Sequence, residues 1–292
     1  MINEPTKKYI TKLRSEYLQL KREKESLLQI IFEAELPEGV YNSNAIENST
    51  LTIKETERIL LEMEVSRNIS LREVFEAKNL ANVSEYIKMQ VGSMELSNDF
   101  ILLLHKMLML NIREDIAGRF RSKGEYVRVG TYVALDSEQI EELMRDLFVE
   151  YLGDVNKYFI EKIAMFHLEF EHIHPFIDGN GRIGRLLINY LLQQLDFPPI
   201  IIRNKEKRRY YKSFEQYDVN ESTSEMEKII CLALLESMHK RLAYLKGKRI
   251  VTLKKYSVES GEDFNNMLNM AKRQTIKAFR EKGVWKIGIE YK

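Results

Sequence analysis

The stretch His174-Pro175-Phe176-Ile177-Asp178-Gly179-Asn180-Gly181-Arg182-Ile183-Gly184-Arg185 decides how the rest of the chain is read. A run carrying Ile163, Phe166, Phe170 and Ile173 at helical spacing leads into it, and Pro175 disfavours helix in the residue before it. His174 is therefore expected at the end of an anchored helix, with its ring facing a cleft. Gly179 and Gly181 permit a tight turn with exposed backbone N–H groups, and Leu186-Leu187-Ile188 begins the next helix. Such a turn into a helix N-terminus is a natural anion cradle. Arg182 and Arg185, three apart, share one face of the opening turn and suit a polyphosphate better than a single carboxylate. Asp178 is a hard oxygen ligand beside the cradle, suited to Mg2+ bridging phosphate oxygens.

Working outward, helical periodicity dominates. Residues 7–33 read as one helix ended by Pro37 and Gly39, and residues 53–63, 71–91, 99–111, 139–152, 157–172, 182–195 and 223–245 read the same way. One stretch differs: Gly118 to Leu135 is rich in β-branched and aromatic residues with glycines at 124 and 130, and predicts a short β-hairpin. Residues 246–292 carry 12 Lys/Arg against 5 Asp/Glu, so this segment is +7 in a chain whose net charge is +1, and the preceding 245 residues are −6. Leu253 and Tyr256, the Gly261 turn, then Phe264, Leu268, Ala271 and Ile276 lay out two helices. Trp285 and Ile287 after Gly283 suggest a strand. The layout resembles a helix-turn-helix with a small wing, its second helix carrying Lys272, Arg273, Lys277 and Arg280. The fold class expected is mainly all-α, with one hairpin and a small C-terminal winged-helix-like module. The division expected is 1–95, 96–245 and 246–292.

Composition narrows the function classes. Apolar residues are 44% and charged residues 30% of 292, which predicts a globular chain, and the near-zero net charge argues against a general electrostatic attraction to nucleic acid or membrane. Cys231 stands alone, so neither an internal disulfide nor a cysteine-based zinc site is available. No stretch reaches the roughly 18 apolar residues that span a bilayer, and the start MINEPTKKYITK lacks the apolar core of a signal peptide. A cytoplasmic location is expected.

Gly-Asn-Gly alone is usually only a turn. Seven fixed residues at set spacing arise by chance in a chain of this length with a probability on the order of one in a million, so the conjunction carries weight. At these residues the chain resembles the Fic family, whose signature His-x-Phe-x-[Asp/Glu]-Gly-Asn-Gly-Arg-x-x-Arg is matched at every position, and the likeness extends over roughly residues 40–245. The resemblance implies a protein adenylyltransferase moving AMP from Mg-ATP to Ser, Thr or Tyr hydroxyls of a protein target. It implies His174 as general base, Asp178 as the Mg2+ ligand, and Gly179, Asn180 and Gly181 as the anion hole. Arg182 would lie on the β-phosphate and Arg185 on the γ-phosphate. It further places Tyr210 beside the adenine, with Asn220 (or Asp218) as a second base contact, and makes Val129, Gly130 and Thr131 part of a flap that pairs with the target's main chain.

Ser43-Asn44-Ala45-Ile46-Glu47-Asn48 carries a serine and a glutamate four apart, which a helix would place on one face. Beside the signature it resembles the family's inhibitory pattern [Ser/Thr]-x-x-x-Glu-[Gly/Asn]. Ser43, Glu47 and Asn48 would then form a brake in which Glu47 pairs with Arg185. The same glutamate could also serve removal of AMP. Two further readings stay open: a DNA-binding regulator acting through residues 246–292, and a transferase of this family using another nucleotide donor. The apolar faces of 7–33 and 71–91 could support a homodimer.

Overall fold

In the computed structural model, which describes residues 2–65, 68–129, 132–134 and 136–291, the chain begins with α1 (Glu4–Lys21) and α2 (Glu25–Ile46). Then come α3 (Ile53–Glu57), running into a π turn over Arg58–Glu62, α4 (Leu71–Gln90) and α5 (Asn98–Met109). Side chains start several of these helices: Asn3, Ser70 and Ser97 each accept a first-turn N–H, and Thr52 with Glu55 forms a capping box. A hairpin of β1 (Arg128–Val129) and β2 (Tyr132–Val133) precedes α6 (Ile140–Gly153), α7 (Phe159–Ile173), α8 (Asn180–Gln194), α9 (Lys207–Asn220) and α10 (Ser224–Leu245). The chain closes with β3 (Arg249–Thr252), α11 (Leu253–Ser260), α12 (Phe264–Lys272), β4 (Ala278–Glu281) and β5 (Val284–Ile289), a three-stranded antiparallel sheet of order β3-β5-β4 beside two short helices. The mainly helical fold with one hairpin is as the sequence predicts.

A single apolar core runs from Ile10 to Leu245, centred on α7, which packs against α6, α8 and α10. α1 contributes Ile10, Leu13 and Tyr17 to it, and α4 contributes Val74, Ala77, Leu80, Val83 and Ile87. Much of the apolar surface of 7–33 and 71–91 that could support a homodimer is therefore taken up within the chain, although Ile30, Leu71 and Met89 stay exposed. A second, small core of Val251, Leu253, Met267, Ala271, Ala278 and Ile287 holds the C-terminal segment together. Among the described residues, no helix is long and apolar enough to cross a membrane.

Three expectations need correction. The first helix does not run from 7 to 33: it breaks at Glu23, whose φ of 63° is left-handed, and α2 then continues through Pro37 and Gly39 to Ile46. Proline removes one ladder hydrogen bond, but here the following turn is held by tertiary contacts, because buried Glu38 pairs with Arg203 and accepts the N–H groups of Lys282 (2.9 Å) and Gly283 (3.1 Å). α9 is absent from the expected helices, its apolar residues being outnumbered by charged ones. The second helix of the C-terminal segment stops at Lys272, which leaves Lys277 in a connection and Arg280 on β4.

Arg280 shows what that strand does. Its guanidinium lies over Trp285 (4.6 Å) and pairs with Glu236 of α10 (2.6 Å) and with Glu206 (3.1 Å). Glu236 also holds Arg203 at 2.8 Å, so one buried carboxylate ties the sheet to the core. Removing one partner of such a buried network leaves charge uncompensated. Glu236→Ala is expected to lower unfolding free energy by about 3 kcal/mol, the low end for a buried pair because Glu38 and Glu206 remain as partners. The midpoint of urea denaturation measures it, and an unchanged midpoint would refute this account of the docking.

Candidate active site

α7 ends where the sequence predicts. His174 adopts left-handed geometry (φ 51°, ψ 60°) and its N–H still donates to Phe170 O at 3.0 Å. The carbonyls left over at this helix end are taken by a buried arginine from the segment before the hairpin. Arg121 Nε donates to His174 O (2.8 Å), its Nη2 to Ile173 O (3.3 Å), and its backbone N–H to Pro175 O (2.9 Å). A fixed cation there complements the helix dipole.

That contact bears on the imidazole. His174 Nδ1 lies 3.2 Å from the carbonyl oxygen of Glu171, which can only accept, so Nδ1 carries the hydrogen and Nε2 is left as a bare acceptor. Burial pulls the His174 pKa down to about 4, against an opposing contribution from the Glu171 carbonyl, and the Arg121 charge lowers it further. A helix C-terminus by itself would favour protonated histidine; desolvation outweighs it, and the ring is neutral at pH 7.

The turn that follows is shaped by side chains bonded to backbone. Asn180 Oδ1 accepts the Phe176 N–H (2.9 Å) and its Nδ2 donates to Phe176 O (2.8 Å), so this buried amide clamps the loop. His105 of α5 stacks on Phe176 (3.7 Å between centroids, 9° between planes); its Nε2–H donates to Asp178 O (3.0 Å) and its Nδ1 accepts the Gly118 N–H (3.1 Å). Gly179 has φ 88°, where a side chain would be strained. It opens α8 with no side-chain cap, which leaves the first-turn N–H groups available to an anion.

The charged groups converge on that helix start. Asp178 accepts from Arg182 (3.0 Å) and Arg72 (2.9 Å), and Arg182 also lies 3.4 Å from Glu76. Arg185, 6% exposed, donates to Ser43 Oγ (2.9 Å), Ser43 O (2.9 Å) and Glu47 Oε1 (2.9 Å), and to the Tyr210 hydroxyl at 3.4 Å. The expected pairing of Glu47 with Arg185 is thus present. Gly181 makes room for it: a Cβ there would stand 2.3 Å from Glu47 Oε1 and 3.0 Å from Arg185 Nη1. α2 ends in a Schellman motif, Ser49 N–H to Asn44 O (3.0 Å) and Asn48 N–H to Ala45 O (3.1 Å), and Asn48 takes the left-handed position (φ 69°) that asparagine tolerates. Lys207 Nζ then fixes the Asn48 side chain at 2.7 Å.

Other expected residues fall differently. Tyr210 is 1% exposed, and its hydroxyl is 2.7 Å from His167 Nε2 as well as within reach of Arg185. Its ring packs edge-on to Phe214 beneath the site, because the apolar side of α9 is turned into the core, so it presents no open face to a base. Asn220 is exposed at the end of α9, where its Oδ1 accepts the Ser222 N–H (3.1 Å); Asp218 lies 3.4 Å from His172. Val129 lies in β1, whereas Gly130 and Thr131 are outside the described residues.

Arg121 as a site residue, and His105 and Glu171 altogether, were not evident from the sequence. Glu171 is buried, and desolvation, helped by the Glu47 charge, raises its pKa to about 8. Its Oε1 and His167 Nδ1 crowd Gly184, where a Cβ would meet them at 2.6 and 2.9 Å. The only signal for these residues was a polar side chain on an apolar helix face, which is too common to select them.

Asp178 is a hard oxygen ligand of the kind a divalent cation takes, and both its oxygens are held by arginines here. Among the described residues no group of three or more His, Cys, Asp or Glu side chains is arranged to hold a metal ion, and Mg2+ commonly takes one or two protein carboxylates with substrate phosphates supplying the rest. A neutral acceptor nitrogen beside an uncapped helix start and two arginines is an arrangement for passing a phosphate-linked group to an acceptor that must lose a proton.

Residues 95–192, which include the whole His174–Arg185 turn, match the model of the Fic/DOC family. The chain is 33% identical over 180 residues to "Protein adenylyltransferase fic-1" of Caenorhabditis elegans, a match covering 60% of this chain and 35% of that protein, so the chain spans about a third of that curated relative. A Fic domain containing signaling protein from Bacteroides thetaiotaomicron superposes with a TM-score of 0.71 at 28% identity, over 82% of this chain and 97% of that one. A Fic family protein from Desulfovibrio desulfuricans matches the whole chain and 98% of its own length with a TM-score of 0.64; at 21% identity that is a likeness of fold alone.

Two outcomes follow from the packing. Burial holds His105, His167, His174 and His239 at about 4, 3, 4 and 4, all below their usual 6.5, so each takes up a proton on unfolding in mildly acid solution. Glu171, raised from 4.5 to about 8, releases one instead. The histidine contribution is complete above pH 6.5 and is lost as pH falls toward 4, with a net uptake of about three protons on unfolding between about pH 5 and 6. Urea midpoints measured at intervals from pH 7.5 to 5 should fall steeply, and a flat profile would contradict neutral burial. Gly181→Ala is expected to push the flexible Glu47 carboxylate off Arg185, and a crystal structure of that variant retaining the 2.9 Å pair would disprove it.

Proposed function

We propose that this chain transfers AMP from ATP to a hydroxyl side chain of a protein target, and that Glu47 restrains it by occupying Arg185. The observation that carries the reading is the bare Nε2 of a neutral His174 beside an uncapped helix start whose second arginine is already paired with Glu47. In the transfer, the target hydroxyl gives its proton to His174 Nε2 as its oxygen attacks the α-phosphorus. The bond from that phosphorus to the bridging oxygen breaks, and pyrophosphate leaves. The first-turn N–H groups of α8 face the phosphates, with Arg182 assigned to the β-phosphate and Arg185 to the γ-phosphate. Asp178 would hold Mg2+, which when bound offsets negative charge on the phosphate oxygens.

Val129, Gly130 and Thr131 are assigned to the flap that pairs with the target's main chain. Tyr210 acts through Arg185, whose head group its hydroxyl touches. The name of the nematode relative, a protein adenylyltransferase, supports AMP as the group transferred.

The brake works by exchange of partners. While Ser43 and Glu47 hold Arg185, a γ-phosphate has no cation to seat against, and a displaced triphosphate leaves its α-phosphorus out of line. Misplacement of this kind costs about a hundredfold in rate. Duplex DNA binding through residues 246–292 has less support, since Arg280 is committed to Glu236 and Glu206 and Lys277 is not on a helix.

Incubated with α-labelled ATP and Mg2+, Glu47→Gly is expected to label itself about a hundredfold faster than the unaltered chain. Adding His174→Ala to it should abolish labelling. Equal labelling of Glu47→Gly and the unaltered chain would remove Glu47 from the mechanism. Labelling by another α-labelled nucleotide alone would change the donor.

A further inference from the structure

We infer that the cleft between the C-terminal module and the core is a second binding site, for a nucleotide-sized anion carrying an aromatic ring. It encloses about 660 Å3 between α2, the start of α9, α10 and the turn joining β4 to β5, and no residue of the His174–Arg185 turn lines it. That volume is of the size that holds small-molecule ligands.

The charge left over in the cleft sets the ligand's chemistry. Its carboxylates, Glu38, Glu206 and Glu236, are already paired with Arg203 and Arg280. Lys205 and Lys272 line the same space, are exposed, and have no ion pair among the described residues. Two guanidinium nitrogens of residues on this wall, Arg203 Nε and Arg209 Nη2, are buried and have no acceptor among the described residues, and Arg203 as a whole is only 6% exposed. A buried N–H without an acceptor is costly and marks a place where an acceptor is missing. The wall therefore offers donors and positive charge, and a ligand must bring acceptor oxygens and negative charge. Trp285 and Tyr41, both half-buried, add ring surface, which favours a planar base over a bare polyanion.

The cleft's α2 wall is the helix that reaches Arg185. Asn42 Oδ1 accepts the Asn204 N–H (3.0 Å), and the next residue, Ser43, holds Arg185. A ligand here touches the brake helix directly, a consequence that rests on the transferase reading; the binding itself does not.

Trp285 is the chain's single tryptophan, so its fluorescence reports the cleft without any assay of activity. The full chain would be titrated with ADP in the absence of Mg2+, and separately with inorganic tripolyphosphate. ADP is expected to give a saturable change, weakened at least about tenfold in Lys205→Glu with Lys272→Glu, to an intermediate degree in the Lys→Gln pair, and unaffected by Arg182→Ala in the other site. Both lysines are exposed and unpaired, so the fold should survive their replacement, and circular dichroism checks it. The proposal is overturned by the absence of a saturable response to millimolar ADP, or by equal affinity in the charge-reversed variant. Loss of the response in Arg182→Ala, or tripolyphosphate binding as tightly as ADP, would overturn it as well.

Discussion

A buried guanidinium must have its acceptors fixed around it, and Arg185 imposes that requirement on the whole molecule. Three of its contacts come from the end of α2 and one from α9. The end of α2 must therefore sit against the start of α8. That in turn requires α2 to remain helical past Pro37, and it requires a glycine at 181, since any side chain there would occupy the space of the Glu47 carboxylate. Glu47 is still 36% exposed on its side chain, so the pair is buried on the arginine side and open on the other. An anion of higher charge arriving from the open side meets an arginine already oriented and desolvated. Release of the Glu47 carboxylate to water would still leave the two Ser43 contacts on Arg185.

The turn between α7 and α8 is stiffened in a related way. Asn180, His105 and Arg121 direct their hydrogen-bonding groups to backbone atoms of the loop. A loop whose carbonyls and amides are bonded on its inner side keeps the orientation of the groups left on its outer side, and electrostatic catalysis depends on that preorganisation. The Asn180 side chain in the signature thus holds the shape of the turn.

These facts mark the division between what the sequence disclosed and what it did not. The turn was legible because its meaning is local: proline after histidine, glycines at the helix start and arginines three apart each constrain neighbours in the chain. The principal helices were legible from periodicity, which is also local. Arg121 and His105 escaped notice because their partners lie 53 and 73 positions away. Tyr210 was ambiguous for the same reason: a tyrosine ahead of an aromatic neighbour looks alike whether it faces a cleft or a core, and only the packing of α9 decides. The continuation of α2 through Pro37 depends on Glu38 meeting Arg203 and a turn some 245 positions on, which no window along the chain can contain.

The charge asymmetry of the last segment is the instructive case. An excess of seven positive charges in 47 residues marked a separate small module and left a DNA-binding reading open, yet some of those charges lie over carboxylates of the core. Arg280 is bound by Glu236 and Glu206, Lys282 by Glu57, and the backbone beside Lys282 by Glu38. The six negative charges of the preceding region and the seven positive ones here are, in part, two halves of one interface. Complementary charge on two parts of a chain is as natural a sign of their docking as of a distant partner. Because Glu38 belongs to α2, the docking of this segment and the placement of the helix that reaches Arg185 are fixed by the same carboxylate. A change in how the C-terminal sheet sits cannot leave that helix wholly indifferent.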